Sequence, residues 1–360
     1  YVPFGCTEFV IQGQSTGTPN VLINMLKILN MSLNCGVDTF DNIDKSDGVK
    51  LKPICELASF DDLYHQYLSL LDHYIDSSAD LQYASYDVMN KEVSFLYTSI
   101  LMDDCISRGK ALLDGGVRYL GGTNEIYGLI NSSDALYAIK TLVYDQKKYT
   151  LNQLNEAALN NFVGYEKIQR DLLKCDKYGN DIDEVDKMAN DLYEHTAIRV
   201  RQKGIDLGMQ YFLVVISNNQ TNTDWGKKTD ASLDGRKKGQ FMNPANNPVG
   251  GMAKNGPSAM LNSLRKFSAK YHGGSVQNIK FTPRMFKEDR EKIKILLDTY
   301  FDNGGCHLMV TIVDKGELED AQKHPEKYPD LIVRVSGFSA VFVDLDKDVQ
   351  DEVISRVLYD

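Results

Sequence analysis

Nowhere in these 360 residues does an apolar run approach the ~20 residues that a membrane-spanning helix needs, and no secretory leader is visible. No CxxC pair occurs. The six cysteines (Cys6, Cys35, Cys55, Cys105, Cys175 and Cys306) are scattered, which argues against a disulfide framework or thiolate metal site and fits a reducing cytoplasm. The six histidines (His65, His73, His195, His272, His307 and His324) lack metal-ligand spacing, so no bound metal is expected. Positive charge is short as well. Forty Lys and Arg against 50 Asp and Glu leave a net charge of −10, with a pI near 5.2. The basic face of a nucleic-acid binder is therefore not expected. Phosphate-loop signatures, internal repeats and low-complexity tracts are missing too. The chain also lacks an initiating Met and opens at Tyr1, directly in front of a motif.

What is present is the makeup of a soluble globular protein, 42% apolar and 25% charged, long enough for one large or two modest domains. Thr18 and Pro19 read as the N-cap and first position of a helix carrying Val21, Leu22, Met25, Leu26, Ile28 and Leu29, ended by Gly36. A second helix runs from Ser59, a third from Phe95 to Leu113, and residues 133–203 read as nearly continuous helix, with Thr150 as an internal N-cap and a break at Gly179-Asn180-Asp181. Tyr211 to Ile216 is a strand feeding the polar cluster Ser217-Asn218-Asn219-Gln220. Strand–helix pairs follow at Ser275–Thr282 with Asp289–Tyr300, and at His307–Val313 with Glu317–Lys323. The alternation predicts an α/β, barrel-type core. The glycine- and asparagine-rich stretch from Asp234 to Ala259 reads as an architectural loop, with a helix starting near Pro257.

Two motifs stand out. Near the C-terminus, Arg334-Val335-Ser336-Gly337-Phe338-Ser339-Ala340 joins the strand-like Leu331-Ile332-Val333 to the alternation Val341, Phe342, Val343. His324-Pro325-Glu326-Lys327-Tyr328-Pro329-Asp330 precedes it, and an amphipathic helix from Asp348 to Leu358 follows. A glycine between β-prone runs marks a tight bend or close backbone approach. At the other end, Gly5-Cys6-Thr7-Glu8 sets a lone cysteine, most simply a small buried hydrophobe, two residues before a carboxylate. In an extended loop those two side chains project to one side.

The C-terminal stretch closely resembles the radical domain of glycyl radical enzymes, the family that includes pyruvate formate-lyase. Gly5-Cys6-Thr7-Glu8 resembles the Gly-Cys-x-Glu loop of its eliminases, decarboxylases and C–C-forming members. The segments Asp104 to Lys110 with Gly115 to Tyr119, and Lys177 to Asp181, also resemble the family, although physically they read as a capped helix end and a turn before a helix. The resemblance implies half of a ten-stranded barrel surrounded by helices, five strands to the half. It divides the chain into a barrel part with the Cys loop (residues 1–235) and a glycyl radical domain (236–360). Members are roughly twice this length, so the sequence resembles the second half of a longer polypeptide.

The same resemblance implies catalytic roles for three residues. Gly337 stores an unpaired electron on its Cα, where planarity between flanking amides suits a residue without Cβ. Cys6 becomes the working thiyl radical, and Glu8 handles protons, its carboxyl pKa raised in a dry barrel. No cofactor stays bound: an anaerobic activating enzyme with S-adenosylmethionine and an iron–sulfur cluster installs the radical. Partners are thus that enzyme, a small-molecule substrate and a second copy in a homodimer, with no nucleic acid or membrane. Pyruvate formate-lyase uses two adjacent cysteines, whereas Gly5 and Thr7 flank Cys6 here, so a dehydratase or C–X eliminase is the first reading. Formate C-acetyltransferase, a transferase with Cys306 as the second thiol, is the alternative within enzymes. A non-catalytic radical-domain spare part is the alternative outside them.

Overall fold

Strands whose successive side chains alternate between two faces organise this fold. The computed structural model describes residues 2–5, 8–17, 20–217 and 220–360. In chain order its strands are β1 (Val2–Phe4), β2 (Glu8–Val10), β3 (Asn20–Asn24), β4 (Val37–Asp38), β5 (Ile43–Asp44), β6 (Gly121–Tyr127) and β7 (Tyr211–Ile216). Then come β8 (His272–Ser275), β9 (Asn278–Phe281), β10 (Met309–Ile312), β11 (Ile332–Arg334), β12 (Ser339–Val341) and β13 (Leu358–Tyr359). The main sheet is parallel, in the order β3-β6-β7-β8, and a second parallel sheet has the order β10-β9-β13. Two antiparallel hairpins, β1–β2 and β11–β12, carry the two sequence motifs.

Helices cover one face of the main sheet. Asn124 of β6 donates to Ser78 Oγ of helix Phe60–Glu92 at 2.9 Å, and Ile126 joins the apolar core with Leu63, Tyr67 and Leu70. Side chains alternate along a strand, so Thr123, Glu125 and Tyr127 point to the opposite face. Helices Phe60–Glu92 and Asp183–Asp206 pack side by side in the same direction. Asp72, Asp76 and Asp80 pair rung by rung with His195, Arg199 and Lys203. The four-residue spacing puts each trio on one stripe, and such half-exposed pairs contribute little individually.

Several expectations hold. Ser59 caps its helix in a reciprocal capping box with Asp62, and Thr150 does the same with Gln153. The helix near Pro257 spans Gly256–Leu264, the helix predicted at Asp289–Tyr300 is Arg290–Asp302, and the last strand–helix pair is present as β10 with helix Lys315–Lys323.

Others change. Thr18 and Pro19 lie outside the described residues, and the following Asn20–Asn24 is strand, so the helix begins at Met25, capped by Asn24 on the Lys27 amide at 3.0 Å. The run Val21-Leu22-Ile23 suits either state, and pairing with β6 decides it. The predicted helix Phe95–Leu113 is broken into Leu96–Ile100 and Cys105–Arg108, with positive φ at Ser94 and Phe95 before the first piece and at Gly109 after the second. Asp104 there grips Arg108 and Arg118, an architectural clamp.

The single strand Ser275–Thr282 proves to be two. Val276 and Gln277 interrupt it, the first bonding back to Ile216 and the second accepting from Met309, so the chain steps from the edge of one sheet to the centre of the other. The main sheet has four strands among the described residues. The terminal helix stops at Ser355, and Leu358–Tyr359 instead pairs with β9.

Candidate functional site

The N-terminal motif folds as a tight hairpin. Val2, Pro3 and Phe4 pair with Val10, Phe9 and Glu8, so the chain reverses between Phe4 and Glu8. Cys6 and Thr7, and with them the expected projection of Cys6 and Glu8 to one side, lie outside the described residues. Gly5 has φ +54°, and a Cβ there would sit 2.8 Å from Glu8 Oε2. Glycine is needed on both counts: the backbone is left-handed, and the Glu8 carboxylate folds back over it. Glu8 is buried, 4% exposed, and its strand β2 lies against β8.

The C-terminal motif is the second hairpin. Arg334 pairs with Ser339 across β11–β12, leaving Val335 to Phe338 as the loop. The amides of Val335 and Ser336 both donate to the Phe338 carbonyl, at 3.1 and 3.4 Å. Arginines fix the loop from two sides. Arg334 donates to the Gly337 carbonyl at 3.1 Å and to Ser339 Oγ at 3.3 Å. Arg356, from the chain after the terminal helix, donates to the carbonyls of Arg334 at 3.1 Å and Val335 at 2.7 Å. It is itself held by both oxygens of Glu352, at 2.9 and 2.7 Å, and the pair is buried. Ser336 is wholly buried and Gly337 half-buried.

Arg334 also reaches toward β10. His307, just before that strand, is held below its ordinary pKa by burial and by the Arg334 charge. Its neighbour Cys306 places Sγ 3.8 Å from His272 Nε2. Burial pushes the Cys306 thiol up and lowers the His272 imidazole to about 4, so both are neutral near pH 7. Tyr193, from helix Asp183–Asp206, packs beside the His272 ring at 6.2 Å. Cys306 thus sits among rings of the helical layer. His272 opens β8, against which the Glu8 hairpin lies, while His307 and Arg334 tie β10 to the Gly337 loop.

A buried polar triangle at the carboxyl ends of β6 and β7 was not singled out from sequence. Tyr127 donates to Glu125 Oε2 at 2.6 Å, Ser217 Oγ lies 2.8 Å from the same oxygen, and the two hydroxyls are 2.9 Å apart. Burial, reinforced by Glu125, holds the Tyr127 phenol well above its ordinary range, and Trp225 packs edge-on against its ring at 5.5 Å. All three are on the face turned away from the helices, at the strand ends where α/β sheets place ligands. The polar cluster after β7 was a signal for Ser217. For Glu125 and Tyr127 there was none, since their strand carries no apolar run.

No helix among the described residues is long and apolar enough to cross a membrane, and no cluster of His, Cys, Asp and Glu there is arranged to hold a metal ion.

Comparison with known proteins gives these hairpins a context. Residues 1–221 match the family described as Pyruvate formate lyase-like, and residues 242–343 match the one described as Glycine radical. The chain is 30% identical to the probable dehydratase YbiW of Escherichia coli (strain K12), covering 99% of this chain and 46% of that protein. It is also 30% identical to trans-4-hydroxy-L-proline dehydratase of Clostridioides difficile, over 98% of this chain and 45% of that one. The crystal structure of hydroxyproline dehydratase from Clostridioides difficile, with trans-4-hydroxy-L-proline bound, superposes with a TM-score of 0.93 at 29% identity, covering 99% of this chain and 45% of that one. The chain thus spans about half the length of the curated relatives it matches. With a pyruvate formate lyase-like segment, a glycine radical segment and the fold of known members, the chain belongs to the glycyl radical enzyme family.

Proposed function

We propose that the chain supplies the thiyl and glycyl halves of a radical lyase of the dehydratase or C–X eliminase type. In this reading Gly337 stores the radical on its Cα. The Cys6 thiol gives its hydrogen atom to that carbon, and the resulting thiyl radical takes a hydrogen atom from a substrate C–H bond. The substrate radical then expels a neighbouring hydroxyl or related group, with Glu8 moving the proton, and Cys6 returns the hydrogen atom. The observation that carries the reading is the Gly337 hairpin, whose carbonyl and neighbours two arginines hold in place within the segment that matches the glycine radical family. A guanidinium on the Gly337 carbonyl favours electron density on that oxygen, which suits a radical delocalised over the flanking amides. The dehydratases among the relatives favour elimination over acyl transfer, and the Cys306 position among helix-layer rings adds nothing to the transferase alternative.

The reading includes a barrel part at residues 1–235 and a radical domain at 236–360, a cytoplasmic homodimer, and a radical S-adenosylmethionine enzyme with an iron–sulfur cluster that installs the radical. The test is paramagnetic resonance on the activated, oxygen-free enzyme. A doublet from the remaining α-hydrogen is expected, absent in Gly337→Ala. Glu8→Gln is expected to keep the doublet and lose turnover on a panel of diols and hydroxylated substrates. A doublet that survives Gly337→Ala overturns the radical assignment. Formate produced from pyruvate and coenzyme A, dependent on Cys6 and unaffected by Glu8→Gln, overturns elimination.

A further inference from the structure

A cavity that shares no residue with either hairpin lies between helix Glu166–Lys174 and the loop 234–252 and measures about 340 Å³. Its size is within the range of small-molecule sites. Leu173, Phe241, Val249 and Met252 give it apolar walls. At its base is Asp134, in the middle of helix Leu129–Ile139 and wholly buried. One carboxylate oxygen accepts from the Tyr178 amide at 3.0 Å. The other, Oδ2, is buried without a hydrogen-bond partner among the described residues. Such an atom is costly unless something occupies the space before it.

Beside it is Lys177, 5% exposed, whose ammonium donates to the Asp234 carbonyl at 3.0 Å. An ammonium carries three donors, so two remain for the cavity. Lys177 is near enough to oppose the rise that burial imposes on Asp134, whose carboxyl is pushed up to about 7. The two nonetheless form no ion pair in this structure, although both line the cavity. The other charged lining groups have settled roles or positions. The Arg236 guanidinium is fully engaged by the carbonyls of Thr229, Asp230, Lys237 and Gln240 and by Ser232 Oγ. The Asp234 carboxylate is engaged by Asn131 and Ser232. Lys237 is exposed at the rim.

We infer that this cavity is a binding site for a small hydroxy acid. A hydroxyl is the group that donates to a carboxylate oxygen and accepts from an ammonium at once, which lets it bridge Asp134 and Lys177. The ligand carboxylate then meets Lys237 at the rim, and its carbon body lies against Leu173, Phe241, Val249 and Met252. This inference is independent of the radical chemistry proposed above.

The test is calorimetric titration of the protein in its native assembly with L-lactate, D-glycerate and L-malate. Propionate and succinate, which lack the hydroxyl, serve as comparators. At least one hydroxy acid is expected to bind, with its comparator weaker by about tenfold, the worth of one well-made hydrogen bond. Lys237→Met, a rim change that leaves the packing intact, and Asp134→Asn are each expected to weaken binding about tenfold or more. The radical signal of both variants should be unchanged. Absence of binding by every hydroxy acid in the millimolar range would mean that ordered water fills the cavity, and overturns the inference. So does binding that neither substitution affects, or that the comparators match.

Discussion

Removing the Arg356 side chain is the sharpest perturbation that the Gly337 hairpin offers. In Arg356→Met, four charge-assisted hydrogen bonds vanish: two to Glu352 and two to the loop carbonyls of Arg334 and Val335. Glu352, 1% exposed, is left as a buried carboxylate without its cation. Breaking a buried pair from one side costs about 3–5 kcal/mol, mostly from the orphaned charge. The lost carbonyl contacts add to that, though not in full. Taking about 4 kcal/mol as the local effect, hydrogen exchange in the 332–341 peptide should speed up by roughly a thousandfold, at 1.4 kcal/mol per decade. Glu352→Leu alone orphans the guanidinium, which keeps its two carbonyl acceptors, so its cost is expected to be smaller. The double variant removes both charges and should recover at least about 2 kcal/mol relative to the sum of the singles. Exchange measured by mass spectrometry on the native assembly gives all four corners of the cycle. Additivity within about 0.5 kcal/mol would refute the reasoning, because it would mean that the buried pair and the loop are not coupled.

Three further outcomes follow from the same structure. Burial, with help from Arg356, lowers the Lys280 ammonium to about 7 against an ordinary 10.5. Its contribution to stability therefore falls as pH drops from 10.5 to 7 and is flat below. Denaturant titrations should find the protein more stable at pH 9 than at pH 7, and Lys280→Met should flatten that rise; an equally steep rise in the variant refutes the assignment. His272, lowered to about 4, is neutral in the fold, so its contribution is full above 6.5 and lost as pH falls toward 4, up to about 3 kcal/mol. His272→Leu should shallow that acid limb, and an unchanged limb contradicts it. Finally, Val93, Leu96, Tyr97, Ile100, Leu101 and Ile106 are exposed close together in sequence, and β3 is an edge of the main sheet. The 360 residues expressed alone should self-associate in sedimentation, and a clean monomer would oppose that.

What the sequence revealed and what it hid divide along physical lines. Ser59 and Thr150 announced their helices because capping is local chemistry. Tyr211–Ile216 announced a strand because a strand buried on both faces reads as one apolar run. Strand β6 is equally buried yet reads Gly-Gly-Thr-Asn-Glu-Ile-Tyr, since one face carries polar groups and Gly121 admits the Tyr211 carbonyl where a Cβ would lie 2.2 Å away. That strand holds Glu125 and Tyr127, so the polar triangle was hidden with it. Strand β8, His-Gly-Gly-Ser, was missed for the same reason. The two motif glycines were legible because each sits where a side chain or the left-handed backbone leaves no choice, or where a long signature surrounds it. The arginines that hold Gly337 were not, because Arg356 is 19 residues further along and only the tertiary fold brings it back.

That return of the chain links two buried cations that no local pattern connects. Lys280, in the central strand β9, donates to the carbonyls of Val353 and Ile354 at 2.8 and 3.3 Å, closing the C-terminal end of helix Lys347–Ser355. A cation there meets the negative end of the helix. Two residues beyond Ile354 comes Arg356, and two beyond that β13 pairs with β9. The tail is thus clamped to β9 on both sides of Arg356, and the direction of that guanidinium is set by a strand distant in sequence from the loop it supports. Lys280→Met should therefore loosen the 332–341 hairpin in hydrogen exchange, although the Lys280 hydrogen bonds all go to the terminal helix. The effect should be smaller than that of Arg356→Met, since β13 and Glu352 remain. Unchanged protection of the hairpin would mean that the pairing of β13 and Glu352 suffice to aim Arg356, and that Lys280 serves only the helix end.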